Sequence, residues 1–228
     1  MSSHVANVIV ETLKRTVNNA RIDLSEIAQA SRTTSAMADQ ILTELTGLET
    51  LSGTSLSPTV RFKLASEAVR TGASERAMRT LTWQEFEEFS EECLATAGFQ
   101  TRKGTVFNDG SRRWQIDLTG VKDQILLAID CKHWESPNYS SKFDRAVEHQ
   151  KQSLQPLIKY LRSKGKLTDQ AVWALPMIIT LFEPRESFLQ NVVLVSVGQL
   201  QSFLDRLTPF SAELPFISDH VSAESSIS

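Results

Sequence analysis

The stretch WQIDLTGVKDQILLAIDCK, residues 114–132, decides the fold. Trp114 to Leu118 alternates apolar and polar side chains, as a strand with one buried face does. Ile125 to Ile129 is an unbroken apolar run of the kind that fills the middle of a sheet. Two acids punctuate these strands: Asp117 and, thirteen positions on, Asp130, followed by Cys131 and Lys132. Successive side chains on a strand point to opposite faces, so Asp130 and Lys132 share a face and Cys131 turns to the other. With Asp117 at the start of the hairpin partner, both carboxylates converge on one hard cation, and the Cys131 carbonyl supplies a third oxygen.

Hydrolysis of a phosphodiester needs such an assembly. A metal neutralises charge growing on the phosphoryl oxygens and lowers the pKa of a bound water, while a nearby ammonium orients that water or stabilises the transition state. The competing reading is a surface hairpin ending in a salt bridge.

Working outward, Thr82 caps a helix from Trp83 to Ala97, closed by Gly98, and a strand from Phe99 to Val106 leads to a turn at Asn108-Asp109-Gly110. Beyond Lys132 come a long helix from Lys142 to Ser163, buried strands Val172–Thr180 and Val192–Ser196, and a helix from Gln199 to Leu207. This order predicts an α/β domain over residues 81–210, with residues 211–228 as a flexible tail.

The N-terminal third has a different pattern. Apolar residues recur at helical spacing from Val5 to Val17, and Asp23 precedes a second helix from Leu24 to Ala30. Thr33 and Thr34 cap a third carrying Met37, Ile41, Leu42 and Leu45, which ends near Gly47. Leu48 to Leu56 is turn-rich around Ser52-Gly53-Thr54, and Ser57-Pro58 opens a helix that Gly72 closes. Residues 1–73 therefore read as a small, mainly helical winged-helix DNA-binding domain with a minimal wing, joined by a linker at 74–80. Arg32, Thr33, Ser35 and Gln40 are its candidate groove-facing residues, although Asp39 and Glu44 oppose phosphate. A helical bundle used for dimerisation fits the same spacing.

At 228 residues and 41% hydrophobic, the chain can fill one large or two small cores. No window approaches a membrane span and no basic-then-apolar leader opens the chain, so a cytoplasmic location without membrane association is expected. Cys93 and Cys131 show no CxxC spacing, which sets aside a disulfide framework and structural zinc. His133 and His149 belong to no HxH or HExxH pattern. The net charge of −3 argues against nucleic acid, but the signs are segregated. Residues 81–93 hold five acids and no bases, whereas residues 142–166 hold seven bases against Asp144 and Glu148. Arg102, Lys103, Arg112 and Arg113 flank the first hairpin as phosphate contacts or as an ordinary charged turn. Trp83, Trp114 and Trp173 are expected in the core and Trp134 at the surface.

Phe86-Glu87-Glu88, Gly98-Phe99, Ile116-Asp117-Leu118 and Ile129-Asp130-Cys131-Lys132 stand in register over Leu81 to Leu161. In this the chain resembles the PD-(D/E)xK nucleases, and within them the Mrr-type restriction endonucleases and archaeal Holliday-junction resolvases. The resemblance implies a restriction-endonuclease-like α/β domain with a central mixed sheet and a restriction or DNA-repair endonuclease activity. It implies Mg2+, with Mn2+ as a substitute, held by Glu87, Asp117 and Asp130, with Lys132 as the catalytic lysine. Gln150 is similar to a glutamine that some relatives place behind the site, or is a solvated helix residue. Two positions depart from the pattern: Asp130 stands where close relatives more often have Glu, and Ile116 where many have Pro.

The expected substrate is double-stranded or branched DNA. A duplex has two antiparallel strands, so a homodimer is expected, meeting through the stripe Leu154, Leu157, Ile158, Leu161 or the edge of Val192–Ser196. The alternatives are an RNA endonuclease and a non-catalytic winged-helix regulator with a nuclease-like dimerisation domain. A degenerate nuclease would have lost one of Glu87, Asp117, Asp130 or Lys132.

Overall fold

The computed structural model describes residues 3–133, 140–168 and 171–220. The chain divides into two compact units, Met1–Phe89 and Ser90–Ser228.

The first unit is helical: α1 (Ser3–Arg15), α2 (Leu24–Ser31), α3 (Ser35–Thr46), α4 (Pro58–Arg70) and α5 (Ser74–Met78), followed by the start of α6 (Trp83–Thr96). Its helices begin where short polar side chains satisfy the first free N–H groups. Asp23 accepts from Ser25 and Glu26, Thr34 from Met37, and Ser57 from Val60 with Pro58 in the first turn. Arg32, in the left-handed region, turns the chain between α2 and α3. Where a wing was expected there is one antiparallel bridge, Arg21 to Ser55. It is flanked by Ile22 N–H to the Thr54 carbonyl and Gly53 N–H to the Ile22 carbonyl, each at 2.8 Å. Residues 74–80, expected as a linker, instead include α5, with Ala77 and Met78 fully buried. Two apolar residues on one short turn leave too little periodicity to register in sequence.

Arg61 of α4 is buried among these helices. It pairs with Glu85 and donates to the Leu13 carbonyl at 2.9 Å and to Thr16 Oγ1 at 2.6 Å. Glu85 also accepts from the Thr82 N–H at 2.7 Å while Thr82 Oγ1 accepts from the Glu85 N–H, a capping box at the head of α6.

The second unit is a seven-stranded mixed sheet with helices, the α/β architecture expected. Strands β1 (Gln100–Asn108), β2 (Arg113–Lys122) and β3 (Ile125–Lys132) form an antiparallel meander. Helix α7 (Ser140–Ser163) crosses to β4 (Ala171–Thr180), which runs parallel to β3. β6 (Val192–Ser196) lies parallel to β4, is edged by the two-residue β5 (Phe188–Leu189), and leads into α8 (Val197–Arg206).

β7 (Ile217–His220) pairs with the first half of β4, and Arg162 holds Asp219 at 2.9 Å. That corrects the tail expected from Ser211: a polar strand of four residues carries no alternation signal, and its partner supplies the order. Residues 221–228 lie outside the described residues.

Both apolar surfaces proposed for dimerisation are used within the chain. Leu154, Leu157, Ile158 and Leu161 pack with Leu126, Ala128 and Ala174 of the sheet, and β6 lies between β4 and β5. An α-helix crossing a mixed sheet buries its apolar stripe on that sheet first.

Candidate active site

The register of β2 on β3 sets the geometry. Leu118 faces Ile129, so Asp117 and Asp130 are the next residues in line on neighbouring strands. Asp117 Oδ2 accepts the Cys131 N–H at 3.0 Å, and Lys132 Nζ stands 2.6 Å from Asp130 Oδ1. Asp130 is 8% exposed. Burial, then the hydrogen bond and charge of Asp130, push Asp117 up to about 7, against the opposing pull of the Cys131 N–H and Lys132. The neighbouring Asp130 carboxylate thus opposes ionisation of Asp117, because two like charges at this spacing repel. The salt bridge of the competing reading exists, but its acid is the buried Asp130, paired with Asp117, and not the exposed end of a surface hairpin.

The pair lies in an open cleft of about 410 Å³, lined also by Gln115, Lys132, Arg145, Ala146 and His149. Arg145 and His149 are four residues apart on α7 and so share a face. Burial and the nearby charges of Arg112 and Lys132 lower the His149 pKa, with Asp117 opposing, so its ring is neutral near pH 7. Sequence reading gave Arg145 no role and set His149 aside. The signal was their spacing on a basic helix, which means nothing until the helix is docked on the strands.

Gln150 is fully buried, correcting the solvated reading. It donates to the Met177 carbonyl at 3.3 Å, and its Oε1 has no partner among the described residues. Glu87 is half-buried on α6, within the first unit. Among the described residues no group of three or more His, Cys, Asp or Glu side chains forms a cation cage.

Of the basic residues, Arg102 and Lys103 are exposed within β1, Lys103 standing 3.2 Å from Glu91. Arg113 is exposed at the start of β2. Arg112 lies over the Trp114 ring, 3.7 Å from its centroid, and donates to Gln152 at 3.2 Å. Arg32, Ser35 and Gln40 are exposed, Thr33 is half-buried, and Gln40 donates to Glu44 at 3.0 Å. Trp114 is buried, but Trp83 is 47% exposed, and Trp134 lies outside the described residues.

The acid pair and lysine at the end of the third strand of this mixed sheet lie within residues 78–166, which match the Mrr_cat family model, described as restriction endonuclease. That stretch is similar to Mrr-type restriction-endonuclease domains, a likeness consistent with the PD-(D/E)xK superfamily and with a nuclease-type function. Domains of this kind generally use divalent metal ions.

An uncharacterized protein of Archaeoglobus fulgidus is 25% identical over 138 residues, which is 60% of this chain and all of that protein. Two crystal structures overlap it in part. The protein of unknown function AF1548 is 19% identical over 43% of this chain and 45% of its own, with a TM-score of 0.28. Protein VC1899 from Vibrio cholerae is 13% identical over 90% of this chain and 55% of its own, with a TM-score of 0.35. The chain thus spans about half the length of these two solved proteins. No helix among the described residues is long and apolar enough to cross a membrane.

Proposed function

We propose that the chain is a Mg2+-dependent DNA endonuclease of restriction or repair type, with Mn2+ as an effective substitute. The observation that carries this reading is the pairing of half-buried Asp117 with buried Asp130, whose carboxylate Lys132 holds. A carboxyl pushed up to about 7 by burial, and then by a neighbouring carboxylate, is relieved when a divalent cation takes the place of its proton. Asp117, Asp130 and the Cys131 carbonyl would hold the cation. Mg2+ keeps several waters and needs only one or two carboxylates, so a two-acid site suits it. The ion would supply charge neutralisation at the phosphoryl oxygens and a more acidic water.

The chain's own residues position the substrate. Lys132, fixed by Asp130, presents an ammonium toward the cleft, where it orients the attacking water or stabilises charge in the transition state. Residues 1–73 are read as a reduced winged helix with α3 as recognition helix, on the strength of the three-residue turn between α2 and α3. Incubating purified protein with plasmid, four-way junction, single-stranded DNA and RNA, with and without Mg2+, tests the assignment. Cleavage of DNA only with the ion supports it. Turnover of RNA alone, or none of any substrate, overturns it.

A further inference from the structure

Besides its acid pair, the second unit carries a prebuilt cationic site beside the cleft. Trp114 is fixed first: its Nε1 donates to Asp109 Oδ2 at 2.6 Å, and the same Asp109 accepts from Ser111 and Arg112 in the turn between β1 and β2. These donors hold the Asp109 carboxyl well below the usual range, so its charge and the turn persist at any working pH. The Arg112 guanidinium lies over the indole at 3.7 Å and is tied to α7 by Gln152 at 3.2 Å. The His149 ring also stands 5.6 Å from Trp114, and it lines the cleft with Arg145.

Arg145 is exposed and has no hydrogen-bond or ion-pair partner among the described residues. The neighbouring acid, Glu148, is taken up by Gln152 at 2.6 Å and Lys151 at 3.8 Å. A guanidinium held by stacking and one hydrogen bond keeps its remaining N–H groups in a fixed fork, and such a fork matches phosphate bidentately.

The geometry points to Arg112 and Arg145 as a phosphate clamp that grips the DNA backbone beside the scissile bond and sets the strand against Asp117 and Asp130. This rests on the nuclease reading and adds a binding subsite to it. Arg112 is the preorganised arm and Arg145 the arm on the cleft wall. Both arginines position the substrate and take no part in proton transfer.

The test uses the full chain and a short DNA duplex in EDTA, where binding is read without turnover, over a range of salt. Arg112→Ala and Arg145→Ala should each weaken binding roughly tenfold. Each should also lower the slope of log affinity against log salt by about one. Lys159→Ala, the same charge change on an exposed turn of α7 away from the cleft, provides the control. Arg112→Lys should lose nearly as much as Ala, because an ammonium cannot keep the stacked fork. With Mg2+ present, both Ala variants should raise KM with kcat little changed, the mark of a contact made equally in ground and transition states. If wild type binds and cuts while both Ala variants match Lys159→Ala in slope and affinity, the clamp is overturned and the nuclease reading stands. If wild type neither binds nor cuts DNA, both fall.

Discussion

Burying two carboxylates side by side keeps Asp117 protonated toward neutrality, and this has a measurable consequence for the metal-free protein. A carboxyl whose folded value is raised contributes stability that is fully present below its ordinary value of 3.8 and lost as pH rises through about 7. The thermal midpoint in EDTA should therefore fall over that window, and Mg2+ should restore it more at pH 8 than at pH 5. Asp117→Asn should flatten the profile and remove the Mg2+ effect, and a variant that tracks wild type at every pH would refute the coupled pair. Asp117→Ala or Asp130→Ala should abolish cleavage yet leave duplex binding intact or slightly tighter, since charges that repel phosphate are removed. Lys132→Ala should lose several orders of magnitude in rate while still responding thermally to Mg2+, because an ammonium acts on the transition state and not on coordination. Wild-type turnover by any of the three variants would dismiss that residue from the chemistry.

At the scale of elements, β2 can lie where it does only because residue 120 has no side chain. A Cβ on Gly120 would come within 2.7 Å of Leu94 Cδ2 and 3.3 Å of Phe99 Cδ1, at the base of the strand that carries Asp117. Gly120→Ala should cost about 1–3 kcal/mol by overpacking, read from urea unfolding. In the first unit, Arg61→Ala should cost about 1.5–3 kcal/mol, because it takes the donor from half-buried Glu85 and from the Leu13 and Thr16 acceptors. Burial raises the Glu85 carboxyl, but Arg61 and the Thr82 N–H together hold it below its ordinary 4.5. Its contribution is present above that value and lost as pH falls, the opposite sense to Asp117. Acid should therefore weaken the helical unit first, and its amides should exchange earlier at low pH than those of β3 and β4.

For the whole molecule, a double-strand cut is most simply made by a two-fold pair of sites, so a homodimer near twice 25.5 kDa is expected by light scattering at micromolar concentration. A strict monomer that linearises plasmid in one binding event would contradict it. Such a dimer would use surfaces other than the α7 stripe and β6, since the chain's own sheet occupies both.

Much of this was legible in the sequence. The alternation at 114–118, the apolar run at 125–129 and the capping residues Asp23, Thr34, Ser57 and Thr82 act on their own neighbours, so α2, α3, α4, α6, β2 and β3 follow from local rules. The spacing of Asp117, Asp130 and Lys132 was equally local, because strand alternation fixes their faces. Elements whose order comes from a distant partner were hidden: β7 exists by pairing with β4, β5 by pairing with β6, and α5 by burying Ala77 and Met78. The same holds for the site. Sequence could name two acids and a lysine, but it could not bring Arg145 and His149 to them, nor turn Gln150 inward. Those placements depend on how α7 docks on the sheet, and the raised Asp117 depends on the β2–β3 register and the burial that docking creates. A contact between residues far apart in the chain has no local energy to read, so the tertiary structure alone decided it.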